Sequence, residues 1–142
     1  MSVPLVHAAS TWFLVGLIWV IQVVHYPLFA GVGPERFVAY EQAHTRRISF
    51  VVGPPMAVEG VTALWRVADP PPGVTRWLPA VALAVLGVVH LSTVALQVPS
   101  HGRLASAWDA DEGARLVRTN WIRTVGWSVR GLLASWIVVA AS

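Results

Sequence analysis

The sequence predicts an all-α integral membrane protein: a four-helix bundle with both termini outside and with spans two and four extended into the cytoplasm. Three observations carry this. Only 12% of residues are charged while 56% are hydrophobic, where soluble domains carry roughly 25% charged residues. Four segments approach the ~20 mostly apolar residues that a helix needs to cross a bilayer. Arginines gather in two of the three connections between those segments. Mean hydropathy is +0.62, and the 142 residues suffice for one domain, 1–142.

Span one runs from about Leu5 to Tyr26, interrupted only by His7, Gln22 and His25. The preceding MSVPLVHAAS lacks a basic leader, so the segment reads as a retained span rather than a cleaved signal. In QVVHYPLF (22–29), Pro27 disfavours helix at Tyr26, and the span is expected to end or bend just after His25. Span two covers about Ile48 to Arg66 and carries Glu59, with Pro54 and Pro55 expected to kink it. Ahead of it, GPERFVAYEQAHTRRISF opens on Gly33-Pro34 and places Phe37, Tyr40, His44 and Ile48 at helical spacing, so it extends the span. DPPPGVTR (69–76) cannot continue a helix. Spans two and three are therefore antiparallel neighbours, with Trp65 and Trp77 at headgroup level. Span three covers about Trp77 to Val98 and carries His90 and Gln97. Span four covers about Trp121 to Ala141 and carries Arg123 and Arg130. DADEGARLVRTN extends it, with Asp109 as the cap.

Orientation follows from the arginines. The first loop holds Arg36, Arg46 and Arg47. The third loop and the start of span four hold Arg103, Arg115, Arg118 and Arg123, against only Arg66 and Arg76 in the middle loop. The two longer loops are thus expected in the cytoplasm, and the protein in the inner (cytoplasmic) membrane as a multi-pass chain. All ten basic residues are Arg; the net charge of +3 would suit nucleic acid, but the apolar content points to a lipid bilayer and no nucleic acid. The absence of cysteine excludes disulfides, thiolate metal sites and dithiol redox chemistry.

With this orientation the polar residues fall together. Gln22 and His25 end span one, Glu41 and His44 precede span two, and His90, Gln97 and His101 mark the inner end of span three. Asn120 and Arg123 begin span four. At about 100° per residue, Gln22 and His25 share a face, as do Glu41 and His44, and His90 and Gln97. Four polar stripes can line one cavity. Imidazole and carboxylate are ligands for iron, copper or zinc, which makes His25, His44, His90, His101 and Glu41 the candidate metal ligands. Glu41-Gln42-Ala43-His44 has the Glu-x-x-His spacing of carboxylate-bridged di-metal bundles. Asn120 and Arg123 are candidates to orient ligands or polarise a substrate oxygen. Glu59 and Arg130, ionisable and deep in their spans, are expected to pair and are the other catalytic candidates. Gln22, Gln97 and Trp121 are the candidate cofactor-binding residues. His7, alone at the other end, reads as an interfacial residue.

QVPSHGRL (97–104) followed by TNWIRTVGWSVRG (119–131) resembles small four-span membrane proteins related to the anthrone oxygenase-like family. There a Pro-x-Asn-x-x-Leu turn follows the third span, and Trp and Arg mark the fourth. Here Pro99 and Leu104 fit, and His101 takes the Asn position. Trp121 or Trp127, and Arg123 or Arg130, are the counterparts in the fourth span. QVVHYPLF and VVGPPMAVEG resemble a widespread bacterial branch. The resemblance implies a four-helix membrane bundle and oxygenation or oxidation of a hydrophobic substrate.

The function expected first is therefore a membrane-embedded, metal-binding oxidoreductase or oxygenase. It would act on a hydrophobic small molecule at the cytoplasmic end of the bundle. The alternatives are a haem-binding membrane protein with two of these histidines as axial ligands, and a non-enzymatic membrane subunit or proton or ion path. A homo-oligomer is compatible with each.

Overall fold

A computed structural model describes residues 2–141, and every regular element among them is helical. Helix α1, Val3–Val20, runs on through a π turn, Ile21–His25, into a 3-10 turn, Pro27–Gly31. Helix α2 is Pro34–Ala68. Helix α3, Trp77–Ser92, continues through a second π turn, Thr93–Gln97, into α4, Val98–Leu104, and α5 is Ala110–Ala140. Three of these rods, Val3–Gly31, Pro34–Ala68 and Trp77–Leu104, are long and apolar enough to cross a membrane. In α5, 31 residues long, Arg123 and Arg130 lower the mean hydropathy, and both point inward, 7% and 1% exposed.

Helix α5 packs on α1 and α3, and α2 packs on the same two. The four rods therefore close a ring in the order α1, α2, α3, α5. Side-chain bonds fix the antiparallel sense: His7 meets Thr62 and His25 meets His44 between α1 and α2, while Trp12 meets Ser135 and Trp19 meets Ser128 between α1 and α5. Leu14, Ile18, Val89, Leu116 and Trp127 fill the middle, and Phe50, Leu64, Leu91 and Val139 stand exposed around the outside. An apolar exterior of this kind suits a hydrocarbon solvent, in which association rests on close packing and internal hydrogen bonds.

Pro54 and Pro55 lie inside α2 without ending it. Proline removes the N–H that would bond four residues back, which affects the carbonyls of Phe50 and Val51. Both residues lie on the exposed face. The 69–76 link turns at Gly73, φ 78°, where an added Cβ would lie 2.7 Å from the Ala140 carbonyl oxygen, so neither the backbone angle nor the space admits a side chain. Gly126 brings α5 against α3, since a Cβ there would collide with Val89 Cγ2.

Asp109 caps α5, its carboxylate accepting from the N–H groups of Asp111 (2.9 Å) and Glu112 (3.2 Å). Across the same corner Arg103 on α4 donates to Glu112 at 2.6 Å. That guanidinium, aided by Ser100, holds the Glu112 carboxyl down at about 2. The clamp ties α4 to the start of α5.

Candidate functional site

The two π turns lie at the same end of the bundle, on rods that face each other across the ring. Each is closed by a bond from i+5 to i, Tyr26 N–H to Ile21 O at 2.9 Å and Val98 N–H to Thr93 O. Such a turn acts as a one-residue insertion and rotates the residues after it by about 100°. Ile21, Tyr26, Thr93, Gln97 and Val98, all at the turns or beside them, line a cavity of about 350 Å³ together with His44, His101 and Arg123. Ile48 and Val52 supply part of its apolar wall. Tyr26 keeps a right-handed helical conformation (φ −66°, ψ −42°) although proline follows it. The expected end of the span after His25 is thus a change of helix type, and its effect is to turn Tyr26 inward.

Tyr26 is the centre of a relay. Glu41, fully buried on α2, accepts from His101 Nδ1 of α4 in a short bond. With its proton on Nδ1, the ring presents a lone pair at Nε2, and the Tyr26 hydroxyl donates to it at 2.9 Å. The Arg123 guanidinium also lies close to the Tyr26 oxygen and interacts with it electrostatically. Its Nη1 donates to Asn120 Oδ1 at 3.1 Å, and its guanidinium carbon sits 5.2 Å from the Trp127 ring centroid. Asn120 donates to Gln22 Oε1 at 2.8 Å, and Gln22 donates to the Val117 carbonyl at 3.2 Å. Gln97 Nε2 donates to Thr119 at 2.8 Å. Three buried polar atoms here have no partner among the described residues: Gln97 Oε1, Arg123 Nε and Glu41 Oε2.

His25 and His44 share one proton between Nε2 and Nδ1 at 2.9 Å, and the His44 ring lies 5.7 Å from that of His101. Among the described residues no three carboxylate or imidazole side chains are arranged around a common point as a metal ion requires. The donor atoms are instead bonded to one another. His90 stays apart, half-buried, with Nδ1 bonded to the Leu86 carbonyl of its own helix at 3.0 Å. Trp121 lies on the outer surface, 43% exposed, edge to face with Trp19.

Glu59 and Arg130 meet at 2.8 Å, both fully buried, but towards the His7 end of the bundle. Glu59 also accepts from Thr11 at 2.8 Å and Trp127 at 3.1 Å, and Arg130 bonds the Ala82 carbonyl. His7 belongs to this group. Thr62 gives its proton to the Val58 carbonyl at 2.6 Å, so it accepts from His7 Nδ1 at 2.7 Å. His7 Nε2 is left to accept from Arg130 at 3.3 Å. Among the described residues each buried polar side-chain atom of Glu59, Arg130 and His7 has a partner, whereas Nε and Nη2 of a second, neighbouring guanidinium, Arg66, have none.

Sequence reasoning brought Gln22, His25, Glu41, His44, Gln97, His101, Asn120 and Arg123 to one end, and there they stand. It missed Tyr26, whose signal was its place directly before Pro27 and one residue after His25. It also missed Arg66, which it counted only as a loop charge. No protein-family model, curated protein or solved structure matches the chain.

Proposed function

We propose that this chain is a four-span protein of the cytoplasmic membrane, with both termini outside and the Tyr26 cavity at the cytoplasmic end. In this reading it is an enzyme that removes a proton from a lipid-soluble, oxygen-bearing small molecule. The observation that carries it is the run Glu41–His101–Tyr26 opening on a largely apolar cavity that Arg123 also faces. The cavity's ~350 Å³ falls at the lower end of the range of small-molecule sites.

The roles follow from the bonds. A substrate oxygen sits against the Arg123 guanidinium, whose unpartnered Nε donates to it, while Gln97 Oε1 accepts an O–H from the same molecule. Tyr26 passes its proton to His101 Nε2 as it takes one from an acidic C–H or O–H of the substrate. Glu41 stabilises the resulting imidazolium and holds the ring's tautomer, as a carboxylate does in a Ser-His-Asp triad. Arg123 steadies the oxyanion that forms, where a low dielectric strengthens its effect. An electron-rich anion of this kind is what dioxygen oxidises, which joins the relay to the oxygenase function implied by the resemblance in 97–104 and 119–131.

The test uses purified full-length protein in detergent with a panel of apolar phenols and aryl ketones in D2O. Deuterium uptake at the acidic C–H that is faster with the native chain than with Tyr26→Phe supports the proposal. Equal rates throughout the panel sink it. Oxygen consumption on the same panel separates oxygenation from simple proton transfer.

A second reading keeps a metal, and the observation favouring it is the 2.9 Å approach of His25 Nε2 to Nδ1 of His44, a residue of the cavity wall. Iron, copper or zinc held there would polarise a substrate oxygen. Elemental analysis with an absorption spectrum decides it. A stoichiometric metal lost in His25→Ala/His44→Ala supports this reading, a Soret band would instead favour haem, and metal-free protein active on the panel overturns both.

A further inference from the structure

At the end of the bundle opposite Tyr26 lies a second cavity, of about 430 Å³. Ser2, Val3 and Leu5 at the start of the chain, Trp65 and Arg66 at the close of α2, the proline link 70–72 and Val138 of α5 form its walls. Arg66 is 2% exposed, yet its Nε and Nη2 have no acceptor anywhere among the described residues. A guanidinium is always charged and carries five donors in a planar fork. Taking it out of water without a partner is among the most costly arrangements a protein can hold.

The neighbouring groups do not relieve it. Glu59, the nearest buried carboxylate, is committed to Arg130, Thr11 and Trp127. His7 is neutral by its bonds and already accepts from Arg130. Asp69 lines the cavity but is exposed and accepts from neither Nε nor Nη2 of Arg66. Among the described residues Arg66 is therefore a buried, unpaired positive charge beside a space rimmed by proline, tryptophan and valine, with the exposed Asp69 carboxylate the one opposite charge on that rim.

From this we infer that Arg66 is the anchor of a second, anion-binding site that takes a phosphate. Its Nε and Nη2 suit two oxygens of one tetrahedral group. The apolar rim accommodates whatever carries that group. The phosphate arrives either in a phospholipid headgroup, with the acyl chains lying along Val3, Leu5 and Val138, or as a free ion. The site depends neither on the Tyr26 relay nor on the orientation of the bundle.

The experiment compares native chain with Arg66→Met, purified in a phosphate-free, non-ionic detergent. Methionine fills the same space without a charge, and replacing an unpaired buried ion by an apolar residue favours folding. Binding of short-chain phosphatidylglycerol is read by native mass spectrometry, and binding of inorganic phosphate by thermal shift. The native chain is expected to bind at least one of the two probes, with affinity about ten- to a hundredfold above that of Arg66→Met, the range for a charge-assisted hydrogen bond. Preference for phosphatidylglycerol assigns the lipid source, and preference for inorganic phosphate the soluble one. Equal binding by both chains, or binding of neither probe by folded native protein, overturns the proposal.

Discussion

Glu41 and His101 lie 60 residues apart in the chain and are bonded carboxylate to imidazole inside the bundle. The carboxylate is fully buried, so its charge there is supported by the ring and not by water. Glu41→Gln keeps the volume and removes the charge. An amide can present its NH2 as readily as its oxygen, so the His101 tautomer is no longer fixed. The expected outcome is a folded protein whose deuterium-exchange rate on a responsive substrate falls by roughly 10²–10⁴. Nitrogen-15 spectra of His101 should change from one tautomer to a mixture. Unchanged spectra and rate would remove Glu41 from the relay.

Tyr26→Phe probes the next bond. It deletes only the oxygen that donates to His101 and touches Arg123. Loss of one buried hydrogen bond should cost about 1–3 kcal/mol of stability, while proton removal from the substrate should be abolished. A variant that exchanges as fast as the native chain would show that His101 acts on the substrate without the phenol.

The Glu59–Arg130 pair should behave in the opposite way, as structure. Both groups are fully buried and bonded at 2.8 Å. Removing one partner, as in Glu59→Leu or Arg130→Met, leaves an unpaired charge and should cost about 3–5 kcal/mol. The double variant should recover a large part of that, though Thr11 and Trp127 lose their acceptor. A thermodynamic cycle of thermal or denaturant unfolding in detergent measures this. Additive losses would mean that the two charges do not depend on each other.

The convergence of polar side chains at one end was legible in the sequence because it depends on two robust signals: apolar run length and arginine distribution. Where helical phase was trusted through a π turn, it failed. His90 and Gln97, seven residues apart, should share a face. The turn at 93–97 adds one residue's rotation between them, so Gln97 is buried at the cavity while His90 stays half-buried on its own helix. The turn at 21–25 likewise separates Gln22, which bonds α5, from His25, which bonds α2. An i+5 closure has no residue signature, and Pro27 was its only sign. Trp121 fell outside because a tryptophan at a membrane surface and one in a site are equally apolar in sequence.

Topology can be read directly, since the chain contains no cysteine. Arg76, in the middle link, and Arg36 and Arg115, in the other connections, are exposed. In intact cells a membrane-impermeant maleimide should label Arg76→Cys. It should reach Arg36→Cys and Arg115→Cys only after permeabilisation. The reverse pattern would place the Tyr26 cavity on the outer side.

The clamp between Arg103 and Glu112 bears on the relay through α4, because His101 rides on that short helix two residues from Arg103. Bonding to Arg103 lowers the Glu112 carboxyl from its ordinary 4.5 to about 2. A carboxyl depressed on folding contributes stability that is complete above the unfolded value and is lost as pH falls through the folded one. The clamp should therefore hold fully above about pH 5 and release between about 4.5 and 2. Arg103 is half exposed, so solvent screening keeps the contribution to overall stability small. Amide hydrogen exchange across 98–108 should quicken in Glu112→Gln at neutral pH, while 11–20 on α1 stays as protected as in the native chain. Equal protection of 98–108 in both chains would show that α4 is held without the clamp, by its packing on α5 and its bonds to α2.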